Sequence, residues 1–86
     1  MSQKKRILII DDHPLFREGL KTIIGHNREY KVVGEAGTGH EGLQMVKELK
    51  PDLVLLDMAL PDIKGLVLIG DILKVSSKIR ILIVSM

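Results

Sequence analysis

Asp52-Leu53-Val54-Leu55-Leu56-Asp57-Met58-Ala59-Leu60-Pro61-Asp62 is the stretch that decides how the rest of the chain is read. Leu53 to Leu56 form an unbroken apolar run between Pro51 and Pro61. A run that short between two breakers predicts a strand buried on both faces. It ends in a carboxylate, Asp57, and then turns. A lone Asp after a strand usually only closes it, so Asp57 gains weight from its company. Ile7-Leu8-Ile9-Ile10 is followed by Asp11 and Asp12, and Ile81-Leu82-Ile83-Val84 by Ser85. Parallel strands of one sheet bring such ends to the same edge, and in open α/β sheets that carboxyl edge is where ligands bind. The expected site is a small pocket holding Asp11, Asp12, Asp57 and Ser85.

Working outward, the first strand is expected over residues 6–11. Pro14 suits the first position of a helix, where a missing N–H costs nothing. Phe16, Leu20, Ile23 and Ile24 follow at helical spacing as its buried stripe, and Gly25 stops it. Residues 30–36 (YKVVGEA) read as a second strand, poorer in apolar content and so at an edge. Thr38 and Glu41 have the spacing of a capping box. The second helix runs from there to about Leu49, with Leu43, Val46 and Leu49 as its stripe and Met45 beside them, until Pro51 ends it. After the third strand, 52–57, a third helix spans 65–75, with Leu66, Ile69, Ile72 and Leu73 as its buried face. Val67, Leu68 and Val75 leave it apolar all round, which implies a second buried contact. The fourth strand is 80–86. The order β-α-β-α-β-α-β with short loops predicts a parallel sheet with right-handed crossovers.

Bulk properties exclude several functions. At 86 residues the chain makes one domain with a small core. It has no Cys, so neither a disulfide nor a thiolate metal site is available. The apolar run after Lys4, Lys5 and Arg6 is too short for a signal peptide or a membrane span. A net charge of +2 is too small an excess to argue for nucleic acid. The Lys4 to Arg6 cluster reads as a solvated strand flank. With one Phe, one Tyr and no Trp there is no aromatic platform for bases or sugars.

Three carboxylates at one edge repel each other, and a divalent cation removes that cost. Mg²⁺ is the natural choice, since it prefers hard oxygen ligands and keeps several waters, whereas zinc wants His or Cys. His13 adjoins the site but reads as a helix-start residue, given Pro14 after it. Asp-Asp-His-Pro after strand one would repel a phosphate unless a metal intervened, and no P-loop pattern is present.

Ile7–Leu20 (ILIIDDHPLFREGL), Val32–Leu43 (VVGEAGTGHEGL) and Asp52–Gly65 (DLVLLDMALPDIKG) together resemble the receiver domain of bacterial response regulators. The Asp-Asp-His-Pro-Leu and Val-Val-Gly-Glu-Ala wording is most similar to the NarL/FixJ subfamily. The resemblance spans Arg6 to Ser85 and implies a flavodoxin-like, CheY-like α/β fold, here an incomplete (βα)₃β with strand order 2-1-3-4. It implies that Asp57 accepts a phosphoryl group from a sensor histidine kinase. It also implies that Asp12 binds Mg²⁺ directly, that Asp11 reaches the metal through water, and that the Ala59 backbone carbonyl is a further ligand. Ser85 matches the switch hydroxyl, and Pro61 and Gly65 match the turn after the acceptor strand. The family has a further strand and two helices after the Ser85 position, carrying a lysine and an aromatic switch residue that find no match here. On that comparison, residues 1–86 form a C-terminally truncated receiver. DNA binding would belong to an output domain absent from these residues, and no membrane contact is implied.

The resulting expectation is a cytoplasmic, Mg²⁺-dependent phospho-acceptor of two-component signalling, impaired by the truncation and with no enzymatic turnover beyond its own phosphorylation. The alternative is a folded fragment that serves structure or dimerisation without being phosphorylated. A small magnesium phosphohydrolase lacks a visible general base. In strand order 2-1-3-4, strand four is a bare edge, and unpaired edges template pairing with another chain. A homodimer through that edge, or by exchange of elements, is therefore expected.

Overall fold

Two central strands, buried on both faces, organise the molecule, whose computed structural model describes residues 3–84. The elements are β1 (Lys5–Ile10), α1 (Pro14–Gly25), β2 (Tyr30–Ala36), α2 (Gly39–Leu49), β3 (Leu53–Leu56), α3 (Gly65–Val75) and β4 (Arg80–Ile83). All strand pairs are parallel and the order is β2-β1-β3-β4, as the sequence predicts. The first strand begins and ends one residue earlier than expected, so Asp11 stands just past its end rather than in it. Ser85 and Met86, assigned to the fourth strand by sequence, lie outside the described residues.

Register explains the two cores. Leu8 pairs with Val54 and Ile10 with Leu56, which turns these four side chains to one face. There they join Val46 of α2 and Leu68 and Ile72 of α3 in the larger core cluster. Ile7, Ile9 and Leu55 point the other way and are met by Leu20 and Ile24 of α1. Two helices thus cover one face and a single helix covers part of the other. A register shift between Ile7 and Leu8 leaves an extra residue in β2. Beside it, a side chain on Gly34 would approach Leu49 Cδ1 to 3.0 Å, so glycine lets α2 sit close to the sheet.

Two apolar stripes differ from expectation. Ile23 is 70% exposed, and among the described residues no element beyond α1 covers that face of the sheet. In α3 the buried residues are Leu68 and Ile72, flanked by Ile69 and Val75, while Leu66 is 77% exposed. Leu73 is exposed as well. Helical spacing permits either stripe on so apolar a helix, and the angle at which α3 leaves Gly65 selects one. Gly65 packs so tightly that an added Cβ would lie 2.4 Å from Met58 Sδ, which fixes the start of α3 against the loop after β3.

The helix ends are closed by specific groups. Thr38 accepts the Glu41 N–H, as a capping residue should, and the Glu41 carboxylate accepts from Gly37 rather than from Thr38. The Asp62 carboxylate also accepts the Gly39 and His40 N–H groups at 2.8 and 2.9 Å, binding the β3–α3 loop to the start of α2. At its far end α2 stops at Lys50, whose φ of 47° is the left-handed conformation. Pro51 disfavours right-handed helix at Lys50. Arg6 donates to the Leu49 and Lys50 carbonyls, so its guanidinium is a helix cap and not merely a solvated flank. Among the described residues no helix is long and apolar enough to cross a membrane.

Candidate functional site

The ends of β1 and β3 lie side by side, and the backbone ladder carries on past them. Asp57 N–H donates to the Ile10 carbonyl at 2.9 Å, and Asp11 N–H to the Ala36 carbonyl at 3.0 Å. These bonds place Asp11 and Asp57 at the carboxyl edge with their backbones already satisfied. Both are buried, at 1% and 4% exposure, whereas the Asp12 side chain is 34% exposed. The three carboxylates anticipated from sequence therefore do converge.

Asp57 Oδ1 accepts the Ala59 N–H at 2.9 Å, a tight turn immediately after the strand. Asp57 Oδ2 is buried and has no hydrogen-bond partner. Leaving a buried charged oxygen unpaired costs about 1–3 kcal/mol or more, so such an atom points to a functional partner such as a bound ion. Ala59 itself is exposed beside the site. Ser85 lies outside the described residues.

His13 differs from its sequence reading. It does stand at the N-cap of α1, without a side-chain cap bond. Its ring, however, turns into the cluster: Nδ1 lies 2.9 Å from Asp11 Oδ1, 3.0 Å from Asp12 Oδ1 and 3.7 Å from Asp57 Oδ2. The hydrogen bond to Asp11 holds its pKa above the ordinary histidine value. Burial opposes this rise, and the charges of Asp12, Asp11 and Asp57 each add a lesser contribution to it. One ligand atom from each of Asp11, Asp12, His13 and Asp57 lies within 4.8 Å of all the others. A set of hard oxygens that close, with one buried oxygen unpartnered, fits a divalent cation.

Arg17 is a supporting residue that periodicity hid. It sits on α1 between Phe16 and Leu20, where a charged residue reads as part of the wet face. Instead it donates to the Asp11 carbonyl and, through Nε, to Glu35 Oε1 at 2.9 Å. Lys21 joins Glu35 Oε2 at 2.6 Å. Glu35 is consequently held below the usual carboxylate pKa, by Lys21 first and Arg17 second. One guanidinium thus ties α1, β2 and the end of β1 together directly behind the acids. The only trace in sequence is an arginine four residues after His13.

Comparison with known proteins matches this architecture. The family model described as the response regulator receiver domain matches residues 7–86. The chain belongs to that family, whose members are signalling domains of two-component response regulators rather than classical enzymes. It is 40% identical over 79 residues to the nitrate/nitrite response regulator protein NarL of Escherichia coli K12, covering 92% of this chain and 37% of that protein. It is 41% identical over 81 residues to the chemotaxis protein CheY of Thermotoga maritima, covering 94% of this chain and 67% of that one. Among solved structures, the response regulator domain of Thermotoga maritima CheB superposes with a TM-score of 0.88 at 33% identity, over 94% of this chain and 60% of that one. The receiver domain of a NarL from Mycobacterium tuberculosis gives 0.82 at 33% identity, over 95% and 64%. The chain thus spans little more than a third of the length of the first full-length regulators it matches.

Proposed function

We propose that Asp57 accepts a phosphoryl group from a phosphorylated histidine of a sensor kinase, in a reaction supported by Mg²⁺ at Asp11, Asp12, Asp57 and the Ala59 carbonyl. A P–O bond forms to an Asp57 oxygen as the P–N bond of the phosphohistidine breaks, with the electron pair left on the imidazole nitrogen. The observation that carries this reading is the buried, unpartnered Asp57 Oδ2 among two further carboxylates. Phosphoryl transfer asks mainly for positioning and charge neutralisation, and little covalent help. Bound there, Mg²⁺ would offset the charge of the acids and of the incoming phosphoryl group. The protein supplies the rest. The Ala59 N–H orients Asp57, burial keeps water from it, and Arg17 steadies the Asp11 backbone.

In this reading Ser85 is the hydroxyl that answers the phosphoryl group. The output is transcriptional control in the cytoplasm, exerted by a DNA-binding domain outside residues 1–86. A homodimer through the β4 edge, or by element exchange, accords with Leu82 and Ile83 being 55% and 51% exposed there. Incubation with acetyl phosphate and Mg²⁺, followed by intact-mass and peptide mass spectrometry, tests the assignment. The expected result is a single phosphoryl adduct that Asp57→Asn abolishes. An adduct that persists in Asp57→Asn overturns the site, and no adduct in the wild type favours a structural or dimerisation role.

A further inference from the structure

We propose that the amino edge of the sheet, opposite the acid site, is a second binding surface that grips the phosphate backbone of a nucleic acid without reading its sequence. Lys4, Lys5, Arg28, Lys50, Lys78 and Arg80 carry it. It goes beyond the proposed phosphorylation and uses none of the same residues.

The fold assembles this surface. All the strands are parallel, so their amino ends share one edge. Each strand is entered through a cation: β2 after Arg28, β1 at Lys4 and Lys5, β3 after Lys50, and β4 at Lys78 and Arg80. All of these side chains are exposed. Among the described residues the lysine and arginine ion pairs involve only Arg17 and Lys21, so the charges at this edge are not neutralised. Lys5, Lys78 and Arg80 line one cavity of about 260 Å³, and Lys5 lines a second, of about 380 Å³, with Lys4 and Arg28. The carboxylates lining these cavities are Asp52, which already accepts the Arg6 N–H at 2.8 Å, and Glu29. A net charge of +2 hides the local excess, because Asp11, Asp12 and Asp57 gather at the opposite edge.

Shape then selects the occupant. Neighbouring strands lie about 4.8 Å apart, so four strand ends set the cations along a line of about 14 Å. Duplex DNA presents about eight phosphate charges over that length. A compact anion would meet only one of the two cavities. Tyr30 lines the first cavity, but it packs against the Ile7, Ile9 and Leu55 cluster and is no platform for a stacked base. Contact through phosphates alone positions a nucleic acid and carries no sequence information.

The test is fluorescence anisotropy of a labelled DNA duplex of arbitrary sequence, titrated with the 86-residue chain over a series of salt concentrations. With four of the cations on phosphates, log K falls against log salt with a slope of about −3.6, which is about 150-fold between about 50 and 200 mM. Lys5→Gln and Lys78→Gln replace exposed side chains, and circular dichroism checks that each variant folds. Each should weaken binding to every duplex alike and make the slope shallower by about 1. Lys64→Gln removes the same charge at the start of α3, beside the acid edge, and should change nothing. Equal weakening by Lys64→Gln overturns the amino edge as the site and leaves only an effect of net charge. No binding at low salt, or a slope near zero, overturns the proposal outright. Inorganic phosphate that displaces the duplex as well as unlabelled duplex does, at equal phosphate concentration, overturns the extended anion in favour of a compact one. Labelled poly-glutamate bound as tightly as the duplex at equal charge concentration overturns the nucleic acid in favour of an acidic protein segment.

Discussion

Replacing Asp57 by Asn should stabilise the metal-free protein while abolishing its proposed chemistry. Asp57 is 4% exposed, and its ligand atom lies within 4.8 Å of those of Asp11 and Asp12. At 4.8 Å each like-charge pair costs about 3.5 kcal/mol at an effective dielectric constant of 20, and about 0.9 kcal/mol if fully water-screened. Asp11 is buried and belongs nearer the first figure, whereas the part-exposed Asp12 belongs nearer the second. Loss of the attraction to His13 offsets part of the sum. The Asn amide retains an oxygen for the Ala59 N–H and puts a donor where Oδ2 now has no partner. A net gain of about 2 kcal/mol is expected, and for a domain of this size that raises the melting temperature by about 8–16 °C. Thermal melts followed by circular dichroism, at neutral pH and low salt with a chelator, measure it. Adding Mg²⁺ should then raise the wild type more than the variant, since an ion that binds only the folded form stabilises it by mass action. An Asp57→Asn protein that melts at or below the wild type in chelator would refute the electrostatic reasoning, because Asp57 would then not be a strained charge.

Asp12→Ala should abolish saturable Mg²⁺ binding by calorimetry, and unchanged affinity would remove Asp12 from the ligand set. Ile72→Ala, at a fully buried site between α3 and the sheet, should cost about 2–5 kcal/mol in urea unfolding; a loss well under that would mean α3 packs differently. The backbone N–H groups of His40, then Gly39, hold Asp62 below the ordinary carboxylate pKa. Its contribution to stability is thus complete above the unfolded value and lost as pH falls through the lower folded one. Asp62→Asn should therefore flatten the acid limb of the urea midpoint against pH, and parallel curves would exclude the cap. Finally, Leu82→Lys on the exposed side of β4 should lower the apparent mass in concentration-dependent light scattering, and indifference to the lysine would clear that edge of any part in assembly.

The strand order came only with the resemblance to receiver domains, but the element order and the convergence of Asp11, Asp12 and Asp57 were legible in the residues themselves, and for one reason. Four-residue aliphatic runs that alternate with amphipathic helices have few ways to bury themselves other than a parallel sheet, and parallel strands must bring their carboxyl ends to one edge. Exposure was less legible. Periodicity tells which residues share a face, but not whether anything lies over that face. Ile23 and Leu66 carry the right spacing and still point to water, because one helix covers the sheet on the α1 side and α3 turns another stripe inward. The polar network was not legible at all. His13 among the acids, Arg17 between Asp11 and Glu35, and Asp62 across the start of α2 are contacts whose partners lie up to 44 residues apart in the chain. Such contacts depend on side-chain directions set only once the helices have docked, and short-range patterns in a sequence carry no record of them.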